Sequence, residues 1–128
     1  MFHLTKEGIP YGTIILGSRA TWLDRHAAEE LRSYVKKLSG AILIITHERY
    51  ASSIEGGKIL IGRASTSDIV GAFAAHYPDV LPEESDTEND CVAYAVRGDT
   101  LVISGSNDRS VYYSVCHLLQ TEFGVGFY

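Results

Sequence analysis

Short apolar runs alternate with amphipathic stretches along this chain, and that alternation constrains the fold more than any single motif. Residues 13–16, 42–46 and 58–62 are rich in β-branched and aliphatic side chains, and Gly17 and Gly62 punctuate them. The run 42–46 is nearly all apolar, which predicts a strand buried on both faces. Residues 91–97 and 100–104 form a further pair, joined by Gly98-Asp99 as a two-residue hairpin of the Gly-X type. Helices fall between the strands. Ala27, Ala28, Leu31, Val35 and Leu38 recur at helical spacing and predict a helix over 22–38. Thr21 caps it, Asp24 completes an approximate capping box, and Gly40 ends it. Arg25, Glu29, Arg32 and Lys36 populate its wet face. A second helix is expected over 66–76, opened by Ser65 with Asp68, carrying Ile69, Val70 and Phe73, and closed by Pro78.

The closing stretch 105–128 reads as a loop, a helix, a glycine stop and a short strand. Asn107 or Asp108 can cap the helix, and Val111, Tyr112, Val115, Leu118 and Leu119 share one face. Tyr113, Ser114, His117 and Thr121 fall opposite, toward water. Gly124 stands where a left-handed C-terminal residue is wanted. Residues 1–10 read as a lead-in or a first edge strand. With strands and helices alternating around a tight hairpin, the expectation is one α/β (α+β) domain over 1–128. Its sheet is mixed and two-layered, with helices mainly on one face.

Several of these segments resemble an accessory domain that precedes the catalytic barrel in α-glucuronidases of glycoside hydrolase family 67. Related versions precede the barrels of β-N-acetylhexosaminidases. The matching pieces are Gly105, Arg109, Tyr112, Leu118-Leu119 and Phe123-Gly124-Val125, the helix around 27–40 with its Ser-Gly ending, and Ile59-Leu60-Ile61-Gly62. Ser110 stands where the family often has Gly, Gln120 where it often has Glu, and Gly126-Phe127 where Arg-Trp is common. The resemblance implies a β-N-acetylhexosaminidase-like non-catalytic fold. It implies a module packed against a (β/α)8 barrel in polysaccharide (xylan-type) degradation. Gly105 ends a strand, Arg109 enters the first turn of the closing helix and Gly124 stops it, so these three read as structural from the residues themselves. A docking or sugar-stacking patch would then comprise Tyr11, Trp22, Phe127 and Tyr128. A free-standing carbohydrate-binding module using the same aromatics is the alternative, and a small enzyme with a scattered site is a third reading.

Composition narrows the function classes. A balance of 45% hydrophobic and 21% charged residues is that of an ordinary globular protein. A net charge of −5 offers no electrostatic case for nucleic acid or an anionic membrane as partner. Cys91 and Cys116 lie in apolar runs, make no zinc or disulfide pattern, and read as small hydrophobes. The N-terminus lacks a basic region followed by an apolar run, so no signal peptide is expected, and the compartment stays open.

No motif carries obvious chemistry, and no cofactor, metal or catalytic residue is expected. His47-Glu48 begins like a zinc-protease motif, but Ala51 stands where the second ligand belongs. His26 with Glu29 and Glu30 reads as a solvated helix face. Glycoside hydrolysis needs two carboxyls held roughly 5–10 Å apart. Glu83, Glu84, Asp86, Glu88 and Asp90 instead crowd one acidic loop. Gly62-Arg63-Ala64-Ser65 lies between strand and helix but lacks the nucleotide-binding glycine run and the Walker lysine. Arg97-Gly98-Asp99 spells an adhesion tripeptide that the hairpin already explains.

Overall fold

The computed structural model describes residues 5–6, 9–10, 12–54, 56–84 and 90–123, without the side chains of 5–6, 9–10, 38–39 and 121–123. Tyr11, Gly124, Phe127, Tyr128 and the expected final strand lie outside the described residues. Two short strands, β1 (Thr5–Lys6) and β2 (Ile9–Pro10), pair antiparallel by themselves. The main sheet is built from β3 (Gly12–Leu16), β4 (Ile44–His47), β5 (Gly57–Ile61), β6 (Val92–Arg97) and β7 (Thr100–Gly105). Its order is β4-β3-β5-β7-β6, with β6 antiparallel to β7 and the other pairs parallel. The expected mixed α/β sheet is therefore present.

Helix α1 (Trp22–Ser39) starts at the predicted capping box: Asp24 N donates to Thr21 Oγ1 at 3.2 Å, and Thr21 N donates to Asp24 Oδ2 at 3.1 Å. Gly40 ends it at φ 78°, a left-handed conformation that costs glycine no Cβ clash. Helix α2 (Asp68–His76) is capped by Ser67 rather than Ser65, because Ser67 Oγ is the acceptor within reach of Val70 N, at 3.2 Å. Helix α3 (Asp108–Phe123) is capped by Asn107 through Ser110 N at 2.9 Å.

The period of two along each strand divides the core. Ile14, Ile59, Ile61, Leu101 and Ile103 face α1 and α3, meeting Ala27, Leu31, Val111, Val115 and Leu119. Ile15, Leu60 and Val102 face the other way, against Val70 and Phe73 of α2. The two long helices thus share a face as expected. The second face is also covered, so the domain has three layers rather than two. A two-layer arrangement would have left Ile15, Leu60 and Val102 in water.

Three local expectations differ. Strand β4 is short and lies at the sheet edge, so Ile42 and Ile44 are 56% and 64% exposed instead of buried on both faces. Ser114 is fully buried rather than turned to water. Its Oγ accepts from Ala93 N at 2.9 Å and sits 2.7 Å from Ser110 O and 2.5 Å from Ser104 O, so backbone groups supply its partners. Cys91 is exposed and Cys116 half-buried, so neither is a core residue.

Candidate functional site

In an open parallel sheet, ligands settle where the carboxyl ends of two strands diverge toward opposite sides. Here that point lies between β3, which leads through α1 outward to β4, and β5, which leads through α2 toward β7. The three α-helices among the described residues all begin at this edge, so their free N–H groups and positive dipole ends collect there.

Glycine lets the three strand exits approach one another. A Cβ on Gly17 would lie 2.1 Å from Thr66 O and 2.5 Å from Ser67 Cα. Gly62 has φ 142°, and a Cβ on Gly105 would lie 2.4 Å from Ser110 Oγ. The β3–α1 and β5–α2 loops are consequently stitched together. Arg19 N donates to Thr66 O at 3.1 Å, Arg19 Nε to Ser65 O at 2.8 Å, and Arg19 Nη2 reaches Asp68 at 2.8 Å.

The edge is filled by the chain's own carboxylates. Glu48, just after β4, accepts from Ile69 N at 2.8 Å and from Ser18 N. Partial burial would raise its carboxyl, but those N–H bonds outweigh it and hold Glu48 below the usual carboxylate range. Glu84 accepts from Ser65 N at 3.2 Å, from Arg63 Nη1 at 3.2 Å and from Ser65 Oγ. Arg63 Nη2 reaches Asp108 at 2.5 Å, tying the β5 exit to the first turn of α3. Beneath this layer Asp24 is fully buried, and its Oδ1, like Arg63 Nε, has no hydrogen-bond partner among the described residues. Burial pushes the Asp24 carboxyl up, more than the Thr21 N–H bond pulls it down. A raised carboxyl is what a general acid needs, but a group with no exposure cannot reach a substrate.

A second feature lies on the outer side of α1 and α3. The Trp22 and His26 rings lie 6.0 Å apart, His26 stacks on Tyr112 at 5.1 Å and 25°, and Tyr112 neighbours Tyr113 at 6.1 Å. Trp22 is 69% exposed and Tyr113 is 47% exposed, so the strip faces outward. Burial pushes the Tyr112 phenol up to about 12, with Cys116 beside it adding to the shift, so it stays neutral. Of the residues expected to form a patch, Trp22 is in this strip. His26 follows it one turn later on α1, and Tyr112 and Tyr113 join from α3, which only the helix packing brings alongside.

Arg109 lies at the N-terminus of α3, where its charge opposes the helix dipole. It pairs with Asp90 at 3.1 Å, and Asp90 also accepts from Asn107 Nδ2 at 2.6 Å. The Asn107 and Arg109 bonds hold the Asp90 carboxyl below its usual range. His26 lies 3.7 Å from Glu30, and His47 Nδ1 accepts from Arg49 N. Among the described residues no three His, Cys, Asp or Glu side chains gather as a metal site would require. Among the described residues no helix is long and apolar enough to cross a membrane. Compared with known proteins, the chain matches no family model and no curated sequence.

Proposed function

We propose that this domain is a non-catalytic accessory module of an α-glucuronidase-like glycoside hydrolase, one that packs against a catalytic barrel in xylan-type polysaccharide breakdown. The observation that carries the reading is the occupied strand edge. Glu48 and Glu84 take up the Ser18, Ile69 and Ser65 N–H donors near the point where such a sheet would hold a ligand. The carboxyl with a raised proton affinity, Asp24, is sealed from solvent. A sheet closed at its binding edge, with an exposed aromatic strip on its helical face, is better arranged to lean on another body than to turn over a substrate. The sequence resemblance supplies the identity of that body.

The strip also favours one second reading, a carbohydrate-binding module that stacks sugar rings on Trp22 and Tyr113. One experiment separates the two. The ¹⁵N-labelled domain is mixed with a family 67 catalytic barrel and, separately, with xylo-oligosaccharides or glucuronic acid. Docking predicts broadening centred on Trp22, His26 and Tyr113 with the barrel and none with sugar. A saturable sugar shift at those residues, with no response to the barrel, would overturn the docking reading. Turnover of aryl glucuronides, aryl hexosaminides or xylo-oligosaccharides by the isolated chain would overturn both.

A further inference from the structure

We propose that the groove at the amino edge of the sheet, between α2 and the β5–β7 pair, binds a small carboxylate carrying an apolar body. The groove is shallow and open, and offers about 270 Å³. Leu60 forms its floor, and Ile69, Phe73 and Tyr77 its apolar walls. The Phe73 and Tyr77 rings pack at 4.9 Å and His76 stands edge-on to Tyr77 at 4.6 Å, which makes one wall a continuous aromatic surface.

Strand register brings Lys58 into this hollow and Arg97 to its rim, where Arg97 Nη1 also donates to the neighbouring Val96 O at 2.8 Å. Lys58 lies opposite Thr100, and Thr100 lies opposite Arg97, so the three side chains leave the same face of the sheet. That is the face on which Leu60 and Val102, two residues further along, meet α2. The Arg97 guanidinium lies 5.7 Å from the centroid of the Tyr77 ring. Lys58 and Arg97 therefore flank an aromatic hollow. In a chain of net charge −5, neither forms an ion pair with a carboxylate among the described residues. Asp99 gives Lys58 only its backbone carbonyl, at 2.9 Å from Lys58 N. The C-terminal end of α2 supplies a partial negative charge nearby, about half an elementary charge, which does not neutralise two cations.

Charge and shape together select the ligand. A bare anion would leave the groove's apolar lining wet, and a neutral ring would leave the Lys58 ammonium without a counter-charge. The volume falls below that of a pocket for a drug-sized molecule, so the match is a single aromatic ring or a short acyl chain. The groove lies at the opposite end of the sheet from Glu48 and Glu84, and the inference is independent of the accessory-module reading.

Benzoate titrated into the ¹⁵N-labelled chain tests it, with benzyl alcohol and acetate as comparators. Saturable shifts are expected at the amides of Lys58, Leu60, Phe73 and Thr100. Benzoate should bind at least about tenfold more tightly than benzyl alcohol, which lacks the charge, and than acetate, which lacks the ring. Lys58→Gln and Arg97→Gln should each weaken benzoate by about threefold or more and leave benzyl alcohol unaffected, while Lys58→Arg retains binding. Non-saturable shifts, an equal response to benzyl alcohol, or full binding by Lys58→Gln would overturn the proposal. Far-UV circular dichroism of each variant verifies that the fold is intact.

Discussion

Asn107 and Ser110 cap each other: Ser110 N donates to Asn107 Oδ1 and Asn107 N donates to Ser110 Oγ, both at 2.9 Å. This is a capping box with serine at the third helical position, and both residues are buried. Asn107→Ala should therefore cost about 1–2 kcal/mol, the upper part of the range for a lost cap. Urea denaturation measures it. An unchanged midpoint would mean that water replaces the cap without loss.

Glycine at position 17 is required by space, whereas glycine at position 71 is not. A Cβ on Gly17 would strike the backbone of Thr66 and Ser67, while one on Gly71 in α2 would meet Ala64 at an ordinary 3.8 Å. Gly17→Ala should lower the melting temperature sharply or prevent folding. Gly71→Ala should raise stability by about 0.5–1 kcal/mol through helix propensity. Thermal melts of the two variants side by side test the contrast.

Two carboxyls should titrate with opposite effects on stability. Glu48 is held below its usual range, so its contribution is present above the unfolded value and is lost as pH falls through the folded one. Asp24 is raised, so its contribution is complete below the unfolded value and declines as pH rises through the folded one. Glu48→Gln should therefore cost more stability at pH 7 than at pH 3. Asp24→Asn should compare more favourably with wild type at pH 7 than at pH 4. Denaturation midpoints across this range are the measurement, and parallel profiles would contradict the assignment.

Arg63 and Arg109 both pair with carboxylates, but their surroundings differ. The Arg63 side chain is 14% exposed and bridges Glu84 and Asp108, whereas that of Arg109 is 53% exposed and pairs with Asp90. Arg63→Ala should cost about 1–3 kcal/mol, because it takes the cation from the partly buried Asp108 and one of three donors from Glu84. Arg109→Ala should cost under about 1 kcal/mol and be less costly still in high salt. Equal losses in the two variants would show that burial does not govern these pairs.

The sequence by itself determined the elements whose causes are local. The Thr21–Asp24 box, the Gly40 stop and the Gly98 hairpin answer backbone demands met within a few residues, and each appears where the pattern puts it. The periodicity of α1 and α3 likewise identifies Leu31, Val35, Val115 and Leu119 as core. Tertiary structure decided the rest. Ile44 is exposed because β3 and β5 occupy the middle of the sheet and β4 the edge, an order that an apolar count does not contain. Ser114 sits on the polar side of its helix by pattern, yet β6 and β7 bring backbone groups that make its burial tolerable. Glu48 meets Ile69 across 21 residues, and Glu84 meets Ser65 across 19. Such partners become neighbours only when strand order and crossovers are set. For the same reason Trp22 and His26 are visible in the sequence as neighbours one turn apart on α1, while the stack of His26 on Tyr112 exists only where two distant helices pack.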